Sequence, residues 1–269
     1  MLHLSEGVYL GTNRSINRPH KHITLTETEY NGPVFQGWHT HENPHISLFL
    51  KGGTVEKRES GTTEILPGRL RFYHSDEAHQ NTKTRFPSRN LNLELNVSFL
   101  QKHGINESQV SRIIEQDNDA HIIMLRIQRE CYITDDLSGD SIEMVVANWI
   151  NSASRMNHVN RPTWVKTVCE LLNDSWDKTV TLKDLAKVAN VSRITISKYF
   201  PRYFNCTLGE YVRKLRIRHA LNCILTTNFT FSQIAYECGF ADQSHFTRVF
   251  KLQTGFSPIQ YRKLLDPLR

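Results

Sequence analysis

The stretch LKDLAKVANVSRITISKYFPRYF (residues 182–204) recurs, with one residue inserted, as FSQIAYECGFADQSHFTRVFKLQT (residues 231–254). The leading pairs Leu185-Ala186 and Ile234-Ala235 lie 49 residues apart, whereas the matching positions farther along lie 50 apart. This repeat decides the fold of the second half of the chain, because each copy has the apolar spacing of two short helices.

Each copy is predicted to form a helix, a tight turn and a second helix. The break falls at Asn190-Val191-Ser192 in the first copy and at Gly239-Phe240-Ala241-Asp242 in the second. Asn and Gly most readily adopt the left-handed conformation that closes a helix. Ser192 and Asp242 are the predicted N-caps of the second helices. The pattern therefore predicts two helix-turn-helix units, at about 182–203 and 231–253.

The second helix of each copy has an apolar face and a polar face. Apolar residues at i, i+3, i+4 are expected to face a core: Ile196, Tyr199 and Phe200, then Phe246, Val249 and Phe250. The opposite face carries Arg193, Ile194, Ser197 and Lys198 in one copy and Gln243, Ser244, Thr247 and Arg248 in the other. These eight residues are the predicted DNA contacts, since such donors suit phosphates and base edges in a major groove. The plainer alternative is a solvated helix face.

The distribution of charge favours nucleic acid. Residues 161–269 hold 17 Lys+Arg against 8 Asp+Glu, a balance of +9, whereas residues 1–160 hold 16 against 19, a balance of −3. The net +6 of the chain therefore averages two unlike halves. Basicity confined to the half with the repeated pattern points to double-stranded DNA as its partner.

The last hundred residues or so resemble the AraC/XylS transcription regulators. The resemblance rests on Ile234-Ala235-Tyr236-Glu237-Cys238-Gly239-Phe240, Gln243-Ser244, Phe246, Arg248, Phe250, Thr254-Gly255-Phe256-Ser257-Pro258 and Tyr261-Arg262, and in the first copy on Leu185-Ala186, Val191-Ser192, Phe200 and residues 211–220. It implies two helix-turn-helix units joined by a long helix and inserted into successive major grooves. A connecting helix over Leu208 to Leu225 would be about 27 Å long, which suits grooves about 34 Å apart.

The first copy departs from the second in two ways that bear on DNA recognition. Pro201 stands where the second copy has Lys251, so the first recognition helix is expected to end or kink near Phe200. Ile194 and Ser197 also give its outer face fewer hydrogen-bond donors. We therefore expect unequal base recognition by the two units.

The first hundred residues read as short strands. Leu91 to Phe99 alternate apolar and polar residues, as a half-buried strand does. Shorter patterns of the same kind occur at Ile23 to Tyr30, Val34 to Trp38, Ile46 to Leu50 and Leu70 to Tyr73. Many short strands separated by turns predict a barrel or sandwich.

Histidines cluster within these strands. His39 and His41 share one strand face and His45 follows, then Gly52, Gly61, Pro67-Gly68 and His79. This order resembles the two histidine motifs of the cupin barrel over Gly37 to Asn81, with His45 where metal-binding cupins usually place Glu. Neutral imidazoles suit a divalent transition metal such as zinc, nickel, copper or iron, so His39, His41, His45 and His79 are candidate ligands. Alternatively they serve hydrogen bonding or effector contact.

An effector pocket is predicted near these histidines. Its candidate lining is Trp38, His39, His41, His45, Phe72 and His79, with Phe49, Tyr73 and His74 as further candidates. Core packing explains the aromatic residues equally well.

Helices are expected between Asn106 and Asn157. Apolar stripes lie at Val110, Ile113 and Ile114, at Ile122, Ile123, Leu125 and Ile127, and at Met144, Val145, Val146, Trp149 and Ile150. Residues 135–140 read as a loop and residues 151–160 as a linker, followed by a helix from Trp164 and a further helix capped by Thr181 with Asp184. In the family such helices often pair two subunits, which favours a homodimer slightly over packing on the chain's own barrel.

These patterns predict an α+β multidomain protein: a cupin-like barrel at 1–100, a helical connector at 101–160 and an all-α DNA-binding domain at 161–269. With no secretory signal or membrane-length apolar run, we expect a cytoplasmic protein. Its five scattered cysteines, lacking paired metal-ligand spacing, favour reduced thiols.

The favoured function is a DNA-binding transcription regulator and no enzyme, controlled by a small-molecule effector. By resemblance it is an activator that works with RNA polymerase. Two alternatives stay open: a metal-dependent cupin enzyme with a DNA-binding appendage, and a DNA-binding dimer that needs no ligand.

Overall fold

The computed structural model of the chain describes residues 1–14, 22–132, 138–158, 161–178 and 180–265. They form two compact units. The first, here the sheet unit, comprises Met1–Asn151 with Gln260–Arg269, and the second, here the helical unit, comprises Ser152–Ile259. The boundary of the helical unit at residue 152 falls inside a helix.

The sheet unit contains ten strands within its described residues. They are β1 (Leu2–Leu4), β2 (Thr12–Arg14), β3 (Ile23–Tyr30), β4 (His39–His41), β5 (His45–Lys51), β6 (Thr54–Arg58), β7 (Gly61–Ile65), β8 (Leu70–Tyr73), β9 (His79–Thr82) and β10 (Ser88–Leu95). Two five-stranded sheets result, in the orders β1-β4-β9-β6-β7 and β2-β3-β10-β5-β8. Only the β1–β4 pair is parallel among these described pairings.

The two sheets face each other across a polar interior. The His41 ring of one sheet lies 4.4 Å from the His45 ring of the other, and the Tyr73 hydroxyl donates to the buried carboxylate of Glu56. The expected closed barrel is not formed by the described strands: β1, β7, β2 and β8 are edge strands, each paired on one side. Two facing sheets bury their inner side chains without closing, as in a sandwich.

The prediction of a strand at Val34 to Trp38 is wrong, because these residues form neither strand nor helix. The turn-forming residues around it account for this. Pro33 lacks a backbone donor, and the glycines at 32 and 37 interrupt any pairing. The strands expected at Ile23, Ile46 and Leu70 are confirmed by β3, β5 and β8.

The alternating stretch that begins at Leu91 differs from expectation in two respects. Strand β10 ends at Leu95, because the Asn96 side chain accepts the Phe99 N–H and caps helix α1 (Val97–His103). The polar face is also buried rather than solvated: Asn92 and Glu94 are 1% and 3% exposed. Asn92 accepts the Ser47 hydroxyl at 2.6 Å, so the interior satisfies these polar groups.

Three further helices complete the sheet unit: α2 (Glu107–Gln116), α3 (Ala120–Cys131) and α4 (Ser138–His158). The linker expected at 151–160 is not found at residues 151–158, because α4 continues through them, and residues 159–160 lie outside the described part. The loop expected at 135–140 has helical residues from 138, with 135–137 outside the described residues. Of the stripe expected on α4, Met144 and Val145 are exposed; the residues at helical spacing, Val146, Trp149 and Ile150, are buried.

The helical unit contains α5 (Thr163–Asp174), α6 (Leu182–Val188), α7 (Arg193–Phe204), α8 (Leu208–Thr226), α9 (Phe231–Glu237) and α10 (Gln243–Thr254), and α11 (Pro258–Leu265) follows. The predicted cap of α6 is confirmed, since Thr181 and Asp184 form a reciprocal capping box. Within the described ranges, none of the helices has the length and apolarity to cross a membrane.

Helix α7 does not end at Phe200, contrary to expectation, but runs through Pro201 to Phe204. Proline removes one hydrogen bond, which a last turn tolerates. The Phe200 and Phe204 rings stack at 4.4 Å, and Asn205 closes the helix in a left-handed conformation (φ 48°) with its N–H bonded to the Pro201 carbonyl. Packing across the proline thus outweighs the lost bond.

Candidate functional site

The first helix-turn-helix unit is built by local signals around Asn190. This residue is left-handed (φ 51°), and the Ser192 hydroxyl accepts the Thr195 N–H at 3.0 Å to start α7. Ile196 and Phe200 of α7 are fully buried. They share a core with Val168, Leu172, Leu185 and Leu215. The turn and this core together fix α7 against α5, α6 and α8.

The second unit repeats this arrangement around Gly239. This glycine is left-handed (φ 70°), and the Asp242 carboxylate accepts the His245 N–H at 2.7 Å to start α10. Phe246 and Phe250 are fully buried and Val249 nearly so. The predicted caps and apolar faces of both units are therefore confirmed.

The eight predicted DNA contacts lie on the outer faces of α7 and α10, here called the recognition faces. Seven are exposed and Thr247 is partly exposed: Arg193, Ile194, Ser197, Lys198, Gln243, Ser244, Thr247 and Arg248. The Gln243 carbonyl oxygen accepts the Ser232 hydroxyl of α9, which leaves the amide N–H groups as donors. The side chains of both recognition faces are thus exposed or partly exposed to solvent.

Helix α8 connects the two units, as predicted, and carries an arginine that fastens it to the chain before α6. Arg216 Nε donates to the Trp176 carbonyl at 3.1 Å and Nη2 to the Lys178 carbonyl at 3.3 Å. The Trp176 ring also stacks on His219 of α8 with a centroid distance of 3.6 Å. Sequence reasoning missed these contacts, since neither periodicity nor capping signals mark them.

The four histidines of the sheet unit come together, and we call them the histidine site. His39 and His79 are direct partners in adjacent strands β4 and β9. One ring nitrogen from each of His39, His41 and His79 lies within 4.8 Å of the other two, a group that could hold a metal ion. His45 lies beside this group, with its ring 4.4 Å from that of His41.

Backbone carbonyls fix the orientation of three of these rings. His39 Nδ1 lies 3.1 Å from the Gly37 oxygen, His79 Nδ1 3.0 Å from the Glu77 oxygen and His45 Nδ1 3.4 Å from the Asn43 oxygen. A carbonyl oxygen can only accept, so Nδ1 must carry the proton and Nε2 the lone pair. This is the tautomer and second-contact pattern of metal-binding histidines.

Burial keeps the histidine site uncharged at neutral pH. Burial, with the neighbouring His79, lowers the pKa of His39 to about 4. Burial, again with His79 nearby, lowers the pKa of His45 to about 3. Burial is also the main cause that lowers the pKa values of His41 and His79. Neutral imidazole is the form that binds a metal ion, and it can both donate and accept a hydrogen bond.

Tyr73 packs against the histidine site, and Glu56 holds the Tyr73 hydroxyl. The Tyr73 ring stacks on His45 at 4.6 Å and lies 4.6 Å from the His79 ring. Glu56 accepts from the Tyr73 hydroxyl, from Arg58 Nε at 2.7 Å and from Arg71 Nη2 at 2.9 Å. Because two arginines and a tyrosine satisfy this carboxylate, it serves as a fixed anchor for Tyr73.

The histidine site opens into a cavity with about 40 Å³ of interior volume, room for about three water molecules. Its lining is Tyr9, Leu10, Tyr30, Val34, His39, His41, His45, Ser47, Phe49, Thr54, Tyr73, His79, Asn81, Thr84, Ser88, Asn90 and Asn92. Trp38, Phe72 and His74 are not in this lining. The amide oxygens of Asn81 and Asn90 are buried, and no hydrogen-bond partner for them occurs among the described residues.

Sequence reasoning missed the polar part of this lining. Asn90 and Asn92 alternate with Leu91 and Leu93, the pattern that we interpreted as a solvent face. An observable signal was present, since Ser47 lies between Ile46 and Leu48 two residues after His45, in the same alternation as the histidines. Polar residues spaced like the histidines mark the same interior face.

Comparison with known proteins places these features in context. Residues 185–264 match the family model described as a helix-turn-helix domain. The chain is 21% identical over 245 residues to the HTH-type transcriptional activator RhaR of Enterobacter sp. (strain 638), which covers 83% of this chain and 86% of that protein.

Two solved structures that match this chain are a regulator with an AraC-type DNA-binding domain from Chromobacterium violaceum and ToxT from Vibrio cholerae. The first is 21% identical with a TM-score of 0.37, and covers 39% of this chain and 95% of that one. ToxT is 14% identical with a TM-score of 0.38, and covers 91% of this chain and 99% of that one.

Proposed function

We propose that this chain is a transcription regulator of the AraC/XylS type, which binds a specific DNA sequence through α7 and α10 and activates transcription. Each recognition helix enters one major groove, and α8 sets the separation of the two. We further propose that the protein works in the cytoplasm with RNA polymerase.

The observation that carries this proposal is the exposure of both recognition faces at matching positions of the repeat. Residues at matching positions of the repeat are exposed on both helices, whereas the alternate faces are buried in apolar cores. Stability of the fold does not require exposed hydrogen-bond donors at matching positions of the two helices. Two such faces match the periodic surface of a duplex. Selection of bound sequences from a random DNA pool tests the proposal, which predicts one enriched site with two parts.

Arg248→Ala is expected to weaken binding to the selected site by about 1–3 kcal/mol, because an exposed arginine on a recognition helix can bind guanine O6 and N7 bidentately. Affinity for random DNA should change much less. Both affinities are measured by gel-shift titration at one fixed salt concentration, since salt changes phosphate binding strongly.

Two variants separate base recognition from charge. Arg248→Lys keeps the charge but loses the bidentate fork, so it should behave nearly like the alanine variant. Lys166→Ala removes an exposed positive charge from α5, outside both recognition faces, and should change specific binding little. Equal losses on selected and random DNA for Arg248→Ala would assign this residue to phosphate contact.

The cavity of the sheet unit is the proposed effector site. Its lining combines neutral imidazoles, hydroxyls and amides, and two buried amide oxygens there need donors. These groups suit a small polar molecule that offers hydrogen-bond donors. We also propose a homodimer formed through the helices that follow the strands. A thermal-shift screen of small metabolites distinguishes this regulator from a ligand-independent one, in which no compound raises the Tm.

A divalent transition metal is the second candidate occupant of the histidine site. His39, His41 and His79 would hold it, and the carbonyl-fixed Nε2 lone pairs of His39 and His79 favour it. The metal would supply a positive charge that attracts a polar effector.

Protein purified without a histidine tag is therefore expected to carry about one metal ion per chain. His39→Ala and His79→Ala should each lower metal affinity more than about tenfold, as measured by elemental analysis after dialysis against a graded chelator. His74→Ala is the matched control, because His74 lies outside the cavity and bonds to Glu107. Trace metal that is the same in all four proteins would exclude the site.

The enzyme alternative receives no support from these observations. Glu42, the carboxylate within the first histidine motif, is exposed and accepts from the Glu6 N–H. The described residues that line the cavity include no carboxylate to act as a general acid or base. The matched relative, RhaR, is a transcriptional activator by name.

A further inference from the structure

The first recognition face contains one residue whose chemistry differs from that of its neighbours. Ile194, the second residue of α7, is 76% exposed, whereas Arg193, Ser197 and Lys198 around it are polar and exposed. An isoleucine that stays in water gains nothing from folding, since its stabilising effect comes from burial. The exposed side chain is therefore free to make an apolar contact with a ligand of this face.

The repeat shows that the helix-turn-helix fold does not require an apolar residue here. Ile194 corresponds to Ser244 of α10 at the offset of 50 residues, and the Ser244 side chain is also exposed. The apolar positions that both copies share, Ile196 with Phe246 and Phe200 with Phe250, are all buried. The two copies thus differ at position 194, where the helix-turn-helix fold does not require an apolar side chain.

We propose that Ile194 reads the 5-methyl group of a thymine in the half-site bound by the first helix-turn-helix unit, an inference that rests on the proposed function. Residues at the start of a recognition helix contact base edges in the major groove. Thymine is the base that presents a methyl group there, and apolar side chains contact it. A β-branched side chain is already stiff at χ1, so little rotamer freedom is lost on contact.

This assignment also explains how a recognition face with few hydrogen-bond donors can still discriminate between bases. Arg193 and Lys198 supply charge for phosphates, and Ser197 one hydroxyl. An apolar contact adds base information without a further donor. The first half-site should therefore be read in part through thymine, and the second through the donors Gln243 and Arg248.

The test replaces single thymines of the selected site by deoxyuridine, which removes only the methyl group and keeps base pairing. With the wild-type full-length chain, one or two substitutions in the first half-site should weaken binding about fourfold, the value of one buried methyl group. Ile194→Ala should bind the thymine site about fourfold or more weakly and show no further loss with uracil. Val188→Ala, the matched control at an exposed β-branched residue of α6 outside both recognition faces, should keep the full uracil effect.

The possible results are distinguishable. A selected site at which no uracil weakens wild-type binding, or at which Ile194→Ala keeps the uracil effect, overturns the inference and leaves the proposed function standing. Ile194→Ala that binds DNA normally but fails to activate transcription also overturns it, because the residue then contacts a protein. A random pool that yields no enriched sequence overturns the proposed function and this inference together.

Discussion

Lowering the pH from 7 to 5 is expected to destabilise the metal-free sheet unit by about 2 kcal/mol through each of His39 and His45. In the unfolded chain these imidazoles bind protons with the ordinary pKa of 6.5, whereas burial lowers the pKa to about 4 for His39 and about 3 for His45 in the folded state. Between these values the unfolded state binds more protons, so stability falls as the pH falls. Above pH 6.5 the contribution is fully present.

The measurement is urea unfolding of chelator-treated protein at pH 7, 6 and 5. His39→Asn and His45→Asn should each reduce the pH-dependent loss by about 2 kcal/mol, whatever their effect on stability at pH 7. Only the difference between pH values is compared, so a general loss of packing cancels. If wild type and both variants lose the same stability between pH 7 and pH 5, the pKa values of these imidazoles are not lowered in the folded state.

Gly239→Ala is expected to destabilise the helical unit by about 2–6 kcal/mol and to abolish most specific DNA binding. The left-handed conformation of Gly239 (φ 70°) costs about 1–3 kcal/mol for a residue with a side chain. The added Cβ would also lie 2.7 Å from the Asp177 backbone oxygen and 3.1 Å from Arg216 Cζ. Overpacking of this kind costs about 1–3 kcal/mol. The Asp177 oxygen cannot swing away, since Arg216 holds the carbonyls on both sides of it.

Gly209→Ala is the matched control. Gly209 lies at the start of α8 and an added Cβ would meet only Arg213 Nη1 at 3.4 Å, so alanine should be neutral or stabilising by up to about 1 kcal/mol. Amide hydrogen exchange in α8–α10 reports the local free energy of opening for both variants. If the two variants protect these amides equally, the turn tolerates a side chain and the steric argument is wrong.

The helical unit was predictable because its signals are local. The caps Ser192 and Asp242, the left-handed residues Asn190 and Gly239, and the apolar spacing each act within one or two helical turns. Pro201 was the exception, since its effect depended on the stacking of Phe200 on Phe204 and on the closing Asn205. Tertiary packing decided the end of this helix, which no local rule anticipates.

The sheet unit was less predictable because pairing joins residues far apart in sequence. Periodicity identified β3, β5 and β8 but could not tell whether a polar face meets water or a polar cavity, and so β10 was misinterpreted. The histidines were identified through their resemblance to a motif. That His39 and His79 would be direct partners depends on the register of β4 and β9, which sequence spacing does not specify.

Arg216 has a consequence for the DNA. It ties the middle of α8 to the chain before α6 and lies against the turn of the second helix-turn-helix unit, so one side chain links the two helix-turn-helix units. One base pair added between the halves of a target would turn them by about 35° relative to each other, so we expect it to weaken binding. For the DNA binding proposed above, we therefore expect a constant interval between the two halves of each target, by which targets can be sought in a genome.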